Sequence, residues 1–163
     1  MTTRIIRVFT AAAGLAILAL VFQTPASTHH SFAMYDQTKV VTLTGVMRQF
    51  VPQANHAELH FVLLTPDRKG LEKAADGKYV QWGVEMAGTA QLERQGISPA
   101  TFGPGTVFSV KVNPLRDGSN FGARTGSLAR CPMDPATKKP VLPEANKHCD
   151  SVKGHTLTGG TTF

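Results

Sequence analysis

The chain reads as an all-β domain with a minor helical part: five short strands closing a small barrel, with one short helix between the third and fourth. Three observations carry that expectation. Apolar and polar residues alternate with a period of two through four separate stretches, as strands with one buried face require. Gly, Pro and Asp-Gly punctuation separates those stretches at hairpin-like intervals. The period changes once, at residues 89–96, to a helical pattern.

Residues 1–26 are set apart from the rest. Arg4 and Arg7 precede an apolar run from Val8 to Phe22, and Thr24-Pro25-Ala26 is a small-residue cleavage site. This is the pattern of a secretory signal. The run is shorter than the ~20 residues of a membrane span and is interrupted by Thr10 and Gly14. Cleavage therefore leaves an exported chain with no stable membrane insertion, a barrel domain over residues 27–130 and a tail over residues 131–163. The formal charge of the whole chain is +6, and no Lys/Arg run is dense enough for a nucleic-acid patch. Outside the cytoplasm a modest basic excess favours anionic glycans or lipid headgroups over nucleic acid.

The first strand is expected over Val40–Phe50, with Val41, Leu43 and Val46 in alternation and Gly45 as a bulge candidate. A Pro52–Asn55 loop leads to a second strand, His56–Leu64. Leu59, Phe61 and Leu63 take one face there, and His56, Glu58, His60 and Val62 the other. A long polar connection ending in Asp76-Gly77 marks a hairpin. The third strand, Lys78–Met86, places Val80, Trp82, Val84 and Met86 opposite Gln81, Gly83 and Glu85. Thr89–Gly96 follows as a two-turn helix, with Thr89 the N-cap candidate and Gly96 the C′ residue. The fourth strand is Thr106–Asn113, and a short fifth strand is expected at Gly126–Ala129. The order β-β-β-α-β-β fits an OB-like barrel, with another β-roll or sandwich as the alternative. Beyond Cys131 the chain has no periodicity and is expected to form a stapled tail, partly disordered at Thr158–Phe163. Its two cysteines, Cys131 and Cys149, read as a disulfide in an oxidising compartment.

The stretches His29-His30-Ser31-Phe32-Ala33, Thr42-Leu43-Thr44-Gly45, Asn55-His56, Trp82-Gly83-Val84-Glu85, Leu92-Glu93-Arg94-Gln95-Gly96 and Pro114-Leu115-Arg116-Asp117-Gly118-Ser119 occur in this order. Together they resemble the family catalogued as domain of unknown function 6152, over residues 29–126. The resemblance implies a small exported protein of Gram-negative bacteria and no particular activity. The family's Trp-x-Asn-Pro-His element departs here: Ala54-Asn55-His56 lacks the proline and the tryptophan but keeps the histidine.

Four of the six histidines lie between residues 29 and 60. Cleavage after Ala26 would make Ser27-Thr28-His29 the terminus, whose amine, two backbone nitrogens and imidazole suit square-planar Cu(II) or Ni(II). Cleavage after Thr28 would instead make His29 terminal. On a straight strand His56 and His60 stand ~13 Å apart, too far to share one ion, whereas either can share one with Glu58. The candidate metal ligands are thus His29, His30, His56, Glu58 and His60, with His29 or His30 joined to His56 as the composite version. Copper is the candidate cofactor, and Asn55, Trp82 and Glu85 are the candidate ligand-contacting residues beside it. Against this stands the plainer reading of solvated or hydrogen-bonded histidines. His148 and His155, in the tail, carry no role. Ser31 lacks a nucleophile-elbow context and no glycine-rich phosphate loop is present. The Glu58 and Glu85 carboxylates are the only candidates for general acid/base work. A binding module, for a metal or for a small anionic, glycan or protein partner, is therefore preferred over a metal-dependent enzyme.

Overall fold

A computed structural model describes residues 32–159. The leader, His29, His30 and residues 160–163 lie outside the described residues. The elements run as a 3-10 turn (Phe32–Met34), β1 (Val41–Val51), β2 (Glu58–Leu63), β3 (Gln81–Glu85), helix α1 (Thr89–Arg94), β4 (Val107–Pro114), β5 (Phe121–Arg130), a second 3-10 turn (Cys149–Ser151) and β6 (Thr156–Thr158). Hydrogen bonding follows the order β3-β2-β1-β4-β5-β6, and β3 also pairs with β5, closing the first five strands into a barrel. Every pairing is antiparallel except that seam, which joins Gly83, Val84 and Glu85 in parallel with Phe121, Gly122 and Ala123. With the helix between β3 and β4, this is the five-stranded OB-type plan.

Alternation decides the faces. Leu43 and Met47 of β1, Leu59 and Phe61 of β2, Val84 of β3, Phe108, Val110 and Val112 of β4, and Leu128 of β5 point inward and form the core. Phe108 is its hub, edge-on to Phe61 at 5.0 Å and to Phe102 at 5.8 Å between ring centroids, an arrangement favoured by the ring quadrupoles. Trp82 is half-buried against this core, on the inner rather than the outer face of β3.

Helix α1 and the turn after it close one end with Leu92, Ile97 and Phe102, all fully buried. The N-cap is Gly88, with no side-chain cap; Thr89 is instead the first helical residue. Its amide and hydroxyl both donate to the Gln53 carbonyl, at 3.0 and 2.8 Å. A Cβ at position 88 would collide with the Ala54 carbonyl oxygen, so the tight crossing selects glycine over a capping side chain. The other end is as expected. Gly96 takes φ +76°, with Ile97 N–H donating to Leu92 O and Gly96 N–H to Glu93 O, the Schellman pattern.

Three elements differ from expectation. The bulge in β1 falls between Met47 and Gln49 rather than at Gly45. Gly45 serves close strand approach, since a Cβ there would meet Phe61 and the Val62 carbonyl. The fifth strand spans ten residues, not four; its register slips between Val110↔Leu128 and Val112↔Arg124, with Gly126 at φ +77° in the gap. The C-terminal segment, aperiodic in sequence, is anchored. Cys131 and Cys149 form a disulfide, and β6 pairs Thr156, Leu157 and Thr158 with the end of β5. The two half-cystines join Leu64, Val107 and Ala129 in a second apolar cluster on the outside of the barrel, against which Val46, Leu71 and Val152 pack. Among the described residues no helix is long and apolar enough to cross a membrane.

Candidate functional site

Because Leu59 and Phe61 must face the core, Glu58 and His60 face outward. The same logic on β3 turns Glu85 outward when Val84 goes in. The β2–β3 register then sets Glu58 directly opposite Glu85 and His60 opposite Gly83. Directly opposed residues hold their Cβ atoms about 5 Å apart, and like charges there destabilise the sheet. Each carboxylate lies against an imidazole. Glu85 Oε1 lies 2.9 Å from His56 Nδ1, and Glu58 Oε2 lies 2.8 Å from His60 Nε2. The second oxygen of Glu85 accepts a 2.6 Å hydrogen bond from the Tyr35 hydroxyl.

Tyr35 reaches this face because the segment before β1 is stitched across the β4–β5 turn. Tyr35 bridges to Leu115, Asp36 N–H donates to Pro114 O at 2.8 Å, Arg116 N–H donates to Met34 O at 3.0 Å, and the Arg116 guanidinium donates to Ala33 O. Tyr35 is 2% exposed. Burial first, then the hydrogen bond to Glu85 and the negative charge of Glu85 and Glu58, push its phenol well above the usual tyrosine value. The phenol therefore stays protonated and donates, which fixes Glu85, whose other oxygen lies against the His56 ring. Phe121, on the far side of the seam, lies over Gly83 where any side chain would collide with its ring, and His60 borders the same spot.

The histidine side chains are 40% exposed at His56 and 39% at His60, while Glu85 is 17% exposed. The result is a pair of half-exposed imidazoles, each oriented by a less exposed carboxylate. That is an arrangement in which a carboxylate can set the orientation of a neighbouring imidazole ring. His56 turns to Glu85 rather than to its strand neighbour Glu58. Asn55 is exposed in the loop immediately before His56, and Trp82 faces inward. Among the described residues, no three His, Cys, Asp or Glu side chains converge tightly enough to hold a metal ion. Tyr35 and Phe121 were not among the sequence candidates. Tyr35 had one usable signal, its place five residues after the His29-His30 pair.

Neither the curated proteins nor the solved structures contain a match to this chain. One family model does match, that of a family of unknown function (DUF6152), over residues 17–124, which includes Tyr35, His56, Glu58, His60, Glu85 and Phe121. On a match across that much of its length, the chain belongs to the DUF6152 family.

Proposed function

We propose that this protein is an exported binding module whose ligand is a divalent metal, Cu(II) foremost, held on the outer face of β2 and β3. The observation that carries the reading is the chain of contacts Tyr35–Glu85–His56. It orients one imidazole and anchors, on the same face, the segment that follows directly from His29-His30. His29 or His30 with His56 makes the primary donor set, and Glu58 and His60 stand beside it. Nitrogen-rich donors of this kind suit Cu(II) and Ni(II). The disulfide between Cys131 and Cys149 fits the oxidising periplasmic or extracellular setting that the leader pattern suggests.

The test is a copper titration of the secreted protein, its N-terminus read by mass spectrometry, run beside His29→Ala and His56→Ala variants. Tight binding weakened in both variants supports the composite site. Weakening in His29→Ala alone reduces the metal to a terminal chelate that owes nothing to the barrel. No tight binding in the parent protein overturns the metal reading in favour of an anionic or glycan ligand, or a partner protein, on the barrel surface.

A further inference from the structure

The C-terminal segment crosses the outer face of β1 and β4 at a buried polar junction, remote in sequence from the candidate site. Ser109 of β4 is 3% exposed and Thr44 of β1 is 2% exposed, and their hydroxyls lie 2.7 Å apart. Cys149 N–H donates to Ser109 Oγ at 2.8 Å, and Thr44 Oγ1 lies 2.7 Å from His148 Nδ1. One assignment of the hydrogens satisfies every donor in this junction. Cys149 N–H donates to Ser109, Ser109 O–H to Thr44, and Thr44 O–H to a neutral His148 that accepts at Nδ1. Each hydrogen then has an acceptor.

A protonated imidazole breaks that order. Its Nδ1–H must donate to Thr44 Oγ1. Whichever way the two hydroxyls then turn, one buried O–H loses its acceptor within the junction, which is costly. The charged groups around the ring add to this. Arg68, from the β2–β3 connection, and Lys111, from β4, both disfavour a positive imidazole. Asp150, on the 3-10 turn, favours one, and Glu72 lines the hollow beside His148. Burial is the largest influence, and the balance holds the imidazole below its ordinary value.

We infer that the segment from His148 to Val152 is a pH-sensitive strap, fastened to the barrel by the Thr44–Ser109–His148 junction and unfastened when His148 takes up a proton. The Cys131–Cys149 disulfide keeps the segment tethered when the junction opens. A second fastening does not titrate near neutrality: Arg68 Nε and Nη2 donate to Lys147 O at 3.0 and 2.7 Å, and Asn146 N–H donates to Pro66 O at 2.8 Å. Opening is thus confined to the turn at Cys149–Ser151 and to Val152, which packs over the second apolar cluster. Acidification uncovers that cluster while the barrel stays closed.

The test is amide hydrogen exchange by NMR on the full secreted chain, corrected for intrinsic pH dependence. The Cys149 amide is the reporter, and the Met47 and Val110 amides of the barrel are the reference. From about pH 7.5 to 4.5, protection at Cys149 should fall several-fold while the reference amides hold. In His148→Gln, whose side-chain oxygen accepts from Thr44 but does not titrate, Cys149 should stay protected at both pH values. Equal protection of wild-type Cys149 across the range, or the same pH dependence in the Gln variant, overturns the inference. If the variant does not fold, the wild-type imidazole decides. A titration midpoint below 6.5 is expected, and one at or above it refutes the strap.

Discussion

Replacing both half-cystines, Cys131→Ala with Cys149→Ala, isolates what the covalent tether contributes. The bond closes a loop with a sequence separation of 18. In the chain-entropy model the denatured state loses 2.1 + 1.5R ln n in entropy, which for this loop is about 11 cal/mol/K, or about 3 kcal/mol at 25 °C. Both residues are nearly inaccessible, at 3% and 0% exposure, so removing their sulfur atoms adds a packing loss of the same sign. In a domain of this size the melting temperature should fall by about 10 °C. Urea denaturation followed through the single Trp82, which packs against the core, gives the measurement. The midpoint should drop and the m-value rise, because an untethered denatured chain exposes more surface. A loss under about 1 kcal/mol with an unchanged m-value would refute the reasoning. It would mean that denatured-state contacts already hold residues 131–149 together.

Three further expectations follow. Tyr35→Phe keeps the buried ring but removes the hydrogen bond to Glu85; it should cost about 1.5–2 kcal/mol, and a double-mutant cycle with Glu85→Gln should show that the two losses are not additive. Gly88→Ala drives a methyl group into the Ala54 carbonyl and should cost about 1–3 kcal/mol in thermal unfolding, for lack of room rather than loss of a cap. Because His148 is held below its ordinary value of 6.5, the unfolded chain takes up that proton first. Its contribution is therefore present above about pH 6.5 and lost as the pH falls through the lower folded-state value. Urea midpoints measured across that window should decline more steeply in the wild type than in His148→Gln.

Most of the barrel was legible because its inward residues alternate without interruption, as in Leu59-His60-Phe61 or Phe108-Ser109-Val110. The helix end was legible because a Schellman turn asks for glycine, and Gly96 supplies it. The fifth strand was read short for a physical reason: Gly122, Thr125, Gly126 and Ser127 interrupt the apolar period where the register slips. β6 has three residues, too few to show any period, and follows a segment that the disulfide tethers to the end of β5. At the candidate site, alternation alone turns Glu58, His60 and Glu85 outward. Their pairing is another matter. The Tyr35–Glu85 bond spans 50 positions, and the choice of Glu85 over Glu58 as partner to His56 depends on cross-strand register, which no local pattern encodes. His148 carried no role in the sequence reading because its partners, Thr44 and Ser109, belong to two distant strands.

The parallel seam between β3 and β5 has a kinetic consequence. It is three residue pairs long and joins positions nearly forty apart, whereas β1–β2 and β2–β3 are built from shorter hairpin-like closures. Loop-closure entropy therefore places the seam after those hairpins in folding. Glu85 sits on one side of it and Phe121 on the other. The face that carries His56 and His60 is thus completed only when the cylinder shuts, and an occupant there would act as a clasp. It would slow the opening of the seam and stabilise the closed barrel in proportion to how tightly it binds.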